Sequence, residues 1–305
     1  MGNMNIEIHN LNKDYGQKQA LQNISLTIGQ GMFGLLGRNG AGKTTLMKTL
    51  ATLLRKKRGD VTVCGIPLEN AKEIRRIIGY LPQDFSMYGN MSVYEAMDYL
   101  GVLSGLTRET RKKRIPLLLE RVNLINICHT KVKALSGGMK RRLGIAQAIL
   151  HEPKVLIVDE PTAGLDPEER IRFRNLLSEL AGERIVLLST HIIGDIEAAC
   201  EEIAVLEAGQ LLYRGTVKAL AGSAAGKVYN AVVPRPELER LRETFVVTGM
   251  SMFDGQASVR LLADRKPTAN AVACEPDLED GYMLLMRDHG AQTDQGGTAY
   301  VQEGM

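Results

Sequence analysis

Met32–Leu54 reads MFGLLGRNGAGKTTLMKTLATLL, and the fold turns on how these residues are read. Met32–Leu36 is a short apolar run of strand length. Gly37-Arg38-Asn39-Gly40-Ala41-Gly42-Lys43-Thr44 then fits the pattern G-x-x-x-x-G-K-[ST]. Its glycines let backbone N–H groups wrap an anion, Lys43 can reach β- and γ-phosphates, and the Thr44 hydroxyl can take Mg²⁺. From Thr45 a helical pattern begins, and the unpaired N–H groups of a helix start favour negative charge. Strand, glycine turn and helix follow in the order this loop needs. An α/β fold with a largely parallel sheet is predicted.

Two further apolar runs, Val155–Asp159 (VLIVD) and Arg184–Ser189 (RIVLLS), read as buried parallel strands. Asp159 and Glu160 close the first of them, at the strand end where ligands gather in such sheets. One carboxylate there can hold Mg²⁺ while its neighbour orients or deprotonates water. Asp166-Pro167-Glu168-Glu169 opens a helix with a cap, a first-turn proline and acids at the positive end. Phe173, Leu176, Leu177 and Leu180 form that helix's apolar stripe, and Gly182 ends it. His191 follows the next strand. Read singly, His191 is a surface histidine, Gln83 in GYLPQD a loop amide and Tyr15 in NKDYG a half-buried aromatic.

Ala134–Leu150 (ALSGGMKRRLGIAQAIL) carries a second phosphate-shaped feature. Ser136-Gly137-Gly138 turns directly into a helix, whose dipole favours an anion. Lys140, Arg141 and Arg142 crowd the same end and read as a solvated basic face.

The 305-residue chain is 44% apolar and 24% charged, with a net charge of +3, too slight for a nucleic-acid groove. The RKKR clusters at Arg55–Arg58 and Arg111–Arg114 read as solvated surface. The four cysteines are scattered without a C-x-x-C pair, which fits reduced thiols in a cytoplasmic compartment. No apolar run approaches the ~18 residues of a membrane span. MGNMNIEIHN lacks the plan of a secretion signal and places Ile6 where a myristoylation motif needs Ser or Thr. Residues 1–30 read as antiparallel strands, and about 84–150 as a helical region containing a capping box at Ser92–Glu95. Residues 1–221 are expected to form the main domain, 222–290 a small α+β domain and 291–305 a disordered tail.

Taken together, these motifs resemble the ATP-binding cassette (ABC) ATPases, specifically the nucleotide-binding subunits of ABC transporters. The resemblance runs from about Met4 to Leu220 and rests on the order of motifs. It implies a parallel-sheet core with an antiparallel β subdomain and a helical subdomain, ATP and Mg²⁺ as ligands, and ATP hydrolysis as the activity. Tyr15 corresponds to the aromatic that stacks on adenine, and Gly37–Thr45 to the P-loop. Gln83 corresponds to the glutamine that senses Mg²⁺ and the attacking water. Asp159 is implied as a Mg²⁺ ligand with Thr44, Glu160 as the general base, and His191 as the switch histidine. Leu135–Gly138 (LSGG) is the family signature, and Ala163–Asp166 matches its dimer-contact loop.

In this family two cassettes face head to tail, and the LSGG of one closes on the ATP held by the other. A second copy of the chain and a membrane-embedded transporter subunit are therefore the implied partners, the latter docking near Gln83–Asn90. The implied location is the cytoplasmic face of the membrane, with no nucleic acid involved. Met139 departs from the glutamine common after LSGG, which bears on a contact to the nucleotide sugar and not on the phosphate contacts. LSGGMKRR and the EPDLEDGYMLLM stretch (Glu275–Met286) resemble subunits of ABC-2 type exporters. The alternative is a soluble ABC-type ATPase acting on ribosomes or DNA. A single cassette and the short interval from Lys43 to Asp159 count against it. A P-loop kinase or GTPase leaves LSGG and His191 unexplained.

Overall fold

A computed structural model describes residues 4–297 of the chain. It divides into two compact units at Arg214/Gly215, earlier than the expected boundary at 221.

The first unit opens with β1 (Ile6–Tyr15) and β2 (Lys18–Ile28), an antiparallel pair. Alternating apolar residues put Ile6, Ile8 and Leu11 of β1 and Ile24, Leu26 and Ile28 of β2 in one core, as a half-buried sheet requires. Strand β3 (Gly31–Leu36) then enters a different sheet and leads through the glycine loop into α1 (Lys43–Leu50). β4 (Arg58–Val63) and β5 (Ile66–Pro67) return to the first sheet, whose strand order is β2-β1-β4-β5.

Next come α2 (Ala71–Ile77) and β6 (Ile78–Leu81), followed by the helical region with α3 (Val93–Leu103), α4 (Arg108–Arg121) and α5 (Gly137–Ala148). The expected capping box starts α3. The Ser92 N–H donates to Glu95 Oε2 at 2.6 Å, and the Glu95 N–H donates to Ser92 Oγ at 3.2 Å. The chain continues with β7 (Val155–Asp159), α6 (Pro167–Ala181), β8 (Ile185–Thr190), α7 (Ile193–Ala199), β9 (Glu202–Glu207) and β10 (Gln210–Thr216). The second sheet is ordered β10-β9-β3-β8-β7-β6. Its β6–β7, β7–β8, β8–β3 and β3–β9 pairs are parallel. Every residue of β7 and β8 is buried, because helices cover both faces of such a sheet.

The second unit contains α8 (Val217–Gly222), β11 (Val228–Pro234), α9 (Arg235–Thr244), β12 (Val246–Phe253), β13 (Gln256–Leu262), β14 (Val272–Ala273) and α10 (Leu278–Gly297). Its sheet, ordered β12-β13-β11-β14, buries Ala231, Val233, Val259 and Leu261 against Leu238 and Leu241 of α9. The early boundary has a packing reason. A Cβ on Gly281 of α10 would lie 2.1 Å from the Leu220 carbonyl oxygen, so α8 is seated against α10 and belongs with this unit. Helix α10 also carries regular backbone through Gly297, into the expected tail. The rest of that tail, residues 298–305, lies outside the described residues.

Two surface expectations change. Arg111 is not solvated: its side chain is 13% exposed and pairs with Asp98 at 2.7 Å, while Arg114 pairs with Glu152. On α5, Arg142 is equally covered and pairs with Glu169 at 3.3 Å. Their charged heads find counter-charges instead of water.

Candidate functional site

The glycine loop sits where β3 meets α1. Gly42 caps α1 in the left-handed conformation (φ 108°) with no side-chain hydrogen bond to the helix. The first-turn N–H groups therefore have no capping acceptor and open toward a ligand. Glycine is required twice over in this loop. A Cβ on Gly42 would lie 2.8 Å from the Ala20 carbonyl oxygen, and one on Gly37 would lie 2.3 Å from that of Leu206. The loop is held from behind, where the Gly209 N–H donates to the Ala41 carbonyl at 2.9 Å and the Gln22 N–H donates to the Gly209 carbonyl at 2.8 Å.

Lys43 folds back over the loop, donating to the Gly37 carbonyl at 2.6 Å and the Arg38 carbonyl at 3.2 Å. Its Nζ lies 3.2 Å from Glu160 Oε1, and both side chains are about 5% exposed or less. The other Glu160 oxygen, Oε2, accepts from His191 Nδ1 at 2.9 Å. Glu160 is itself strained, with a φ of 46°, a region that costs a residue bearing a Cβ. Its N–H holds that turn by donating to the carbonyl and the hydroxyl of Ser189, each at 3.1 Å. The same Ser189 hydroxyl donates to Asp159 Oδ1 at 2.5 Å, so a single serine of β8 orients both acids. Asp159 is fully buried, and its Oδ2 has no hydrogen-bond partner. A buried carboxylate oxygen left open in this way is costly unless something cationic meets it.

A cavity of about 600 Å³ opens over these groups. It is lined by Tyr15, Arg38, Asn39, Gly40, Gly42, Lys43, Thr44, Thr45, Gln83 and Glu160, together with Lys18–Ala20, Gln22, Ala208 and Gly209. Tyr15 is 48% exposed at its mouth, with Lys13 Nζ 5.3 Å from the ring centroid. Most of the predicted residues thus converge. Gly37 and Ala41 support the loop from behind, and His191 and Asp159 act on the cavity's residues without lining it.

Ser136, Gly137, Gly138 and Asp166 are placed elsewhere. Ser136 caps α5, its Oγ accepting the Met139 N–H at 3.2 Å. Asp166 caps α6 by accepting the Glu169 N–H at 2.9 Å. The two helix starts adjoin, because a Cβ on Gly138 would lie 3.0 Å from Glu169 Oε2. None of these four residues lines the cavity holding Lys43.

Some functional features carry no signal in the sequence. The Ser189 bridge and the wall made by the β9–β10 turn depend on pairings between distant strands. Arg141, read as solvated, is half-buried with Nη1 fully enclosed and unpartnered. Burial pushes its guanidinium down, while Asp84, Asp159 and Glu160 pull it back up.

Comparison with known proteins gives the family and the fold. Residues 21–163 match the ABC transporter family. An uncharacterized ABC transporter ATP-binding protein of Bacillus subtilis (strain 168), YxlF, is 38% identical over 216 residues, spanning 70% of this chain and 72% of its own. The Nod factor export ATP-binding protein I of Cupriavidus pinatubonensis (strain JMP 134 / LMG 1197) is 35% identical over 257 residues, 81% of this chain and 79% of its own. The dimeric structure of MJ0796, a bacterial ABC transporter cassette, superposes with a TM-score of 0.64 at 25% identity, covering 69% of this chain and 98% of that one. The chain belongs to the ATP-binding subunits of ABC transporters. It binds ATP and is an ATPase. No helix among the described residues is long and apolar enough to cross a membrane.

Proposed function

We propose that two copies of this chain close head to tail around two ATP molecules and drive a separately encoded membrane subunit, in the direction of export. One observation carries the proposal: Ser136–Gly138 and Asp166 lie outside the cavity that holds Lys43, Gln83 and Glu160. One chain therefore presents a phosphate site and, apart from it, a second phosphate-shaped helix start. A head-to-tail pair unites each with its complement. Ser136 suits this role, since its oxygen accepts the Met139 N–H and its own O–H remains free to donate to a phosphate.

The chemistry follows from the buried charges. Lys43 pairs with Glu160. Phosphates entering the loop compete for Lys43, and Glu160 is then free to accept a proton from the attacking water. His191 holds Glu160 Oε2 and positions water and the γ-phosphate. The loop N–H groups, Lys43 and the partner copy's signature serine stabilise charge on the transferring group. Asp159, whose open buried oxygen suits a cation, Thr44 and Gln83 are the residues that would hold Mg²⁺. When bound, Mg²⁺ neutralises charge across the β- and γ-phosphates. Tyr15 packs against adenine.

Gln83–Asn90 is the segment assigned to the membrane subunit, which would keep this chain at the cytoplasmic face of the membrane. The relatives' names favour export. The first unit serves as the ATPase domain, and the second steadies or regulates the pair. Light scattering of the Glu160→Gln variant tests the reading. Mg·ATP should convert it from monomer to dimer, and a species that stays monomeric at high concentration would refute the two-copy arrangement.

A further inference from the structure

The face that α5 turns toward its own chain has no part in the chemistry described so far. Gly144 lets this helix come unusually close to the segment leaving β6. A Cβ there would lie 2.6 Å from Leu81 Cδ1 and 3.1 Å from Phe85 Cδ1. Leu81 and Phe85 bracket Gln83 and Asp84. Arg141 lies three residues before Gly144, and residues so spaced share a helix face. Its side chain is half-buried, and Nη1 is completely enclosed with no hydrogen-bond partner among the described residues.

Three acids act on that charge. Asp84 belongs to the loop carrying Gln83, while Asp159 and Glu160 are the pair closing β7. The guanidinium stays ionised at any working pH, so burying it without a partner costs stability. Ser136 lies at the start of this same helix, less than two turns from Arg141.

We propose that Arg141 is a positioning residue that ties the signature helix to the Gln83–Asp84 loop and to the Asp159–Glu160 pair of its own chain. The inference rests on the two-copy reading. Contact of Ser136 with the partner's nucleotide moves or fixes α5. Through Arg141 the same helix then sets where this chain's own carboxylates and loop stand, so each site registers the state of the other. Closely packed helices are among the rigid elements that can carry coupling between sites.

Steady-state ATPase assays on the full chain, paired with nucleotide-free melting curves, test this. Arg141→Met should lower kcat about tenfold and leave KM within about twofold, the pattern of a group felt in the transition state. Its Tm should hold or rise, since the variant removes a buried charge that has no partner. Arg141→Lys should recover at least half of the lost rate. Combined with Ser136→Ala, Arg141→Met should slow turnover no further than the slower single variant, because both act through one helix. Unchanged kcat in Arg141→Met overturns the inference. So does a fall in kcat matched by a fall in Tm without rescue by lysine, or multiplication of the two effects in the double variant. If Ser136→Ala impairs turnover and Arg141→Met does not, only the role of Arg141 fails. If Ser136→Ala alone is silent, the two-copy reading fails as well.

Discussion

Helices α1 and α5 both begin at a glycine turn, and both read from sequence as places for a phosphate. They are built differently. Helix α1 starts at a left-handed glycine with no side-chain cap, beneath a cavity walled by strands and loops from across the unit. Helix α5 starts at Ser136, whose own hydroxyl takes a first-turn N–H. Nearby Glu169 is occupied by Arg142 at 3.3 Å and Arg172 at 3.2 Å, which keeps its charge from dominating that end. A helix start becomes a complete anion site only when other elements enclose it and supply counter-charge. Helix α1 has both within one chain. Helix α5 lies outside that cavity, and its completion is assigned to a second copy.

The sharpest way to break this contrast is Glu160→Gln. Turnover should fall about 10²–10⁴-fold, the range for losing a general base, while ATP binding persists. A phosphate-release assay beside equilibrium nucleotide binding reads both, and near-normal hydrolysis would remove Glu160 from its role.

Lys43→Met should be next in size. Losing the cation that meets both the loop carbonyls and Glu160 should weaken ATP binding about 100-fold, as expected for a buried charged contact worth about 3 kcal/mol. It should also lower the melting temperature by stranding a buried carboxylate. Adding Glu160→Gln should restore most of that lost stability without restoring binding, which separates the two roles of the lysine.

Ser136→Ala tests the other helix. A cap loss of about 1 kcal/mol accounts for a slightly lower Tm. A larger fall in kcat, about tenfold, would come from the lost phosphate contact. Equal small losses in both would leave Ser136 a cap and nothing more.

The smallest effect belongs to the second unit. Burial pushes the Asp280 carboxyl up, but Arg260, the Asp277 N–H and Thr248 together hold it below the ordinary carboxylate range. The Arg260 guanidinium donates to it at 2.6 Å and the Thr248 hydroxyl at 2.8 Å. A lowered folded-state pKa means that its stabilisation is full above the unfolded value and is lost as pH falls through the folded one. Melting of the second unit, followed from pH 7 to pH 3, should weaken on the acid side. Asp280→Asn should cost about 2 kcal/mol at neutral pH and flatten that acid dependence.

Much was legible in the residues alone. The phosphate loop, the paired acids after a buried strand, the capping box at Ser92 and the cap at Asp166 are local. Each depends on residues a few positions apart whose backbone demands and hydrogen bonds act over the same distance. The strand and helix order followed for the same reason, and with it the α/β class. The second unit was legible as alternating elements, while the seating of Gly281 on Leu220, which places α8 with it, was not.

What tertiary structure alone decided is what lies between distant segments. Ser189 holds both Asp159 and Glu160 because β7 and β8 are parallel neighbours with Asp159 opposite Ser189. The Lys43–Glu160 pair joins groups more than a hundred positions apart. Arg141, part of a basic run on paper, is half-buried with Nη1 enclosed, and its helix settles on Leu81 through Gly144. Periodicity tells which face of an element is buried. It does not tell which partner covers that face, because the partner is chosen by packing and charge across the whole fold.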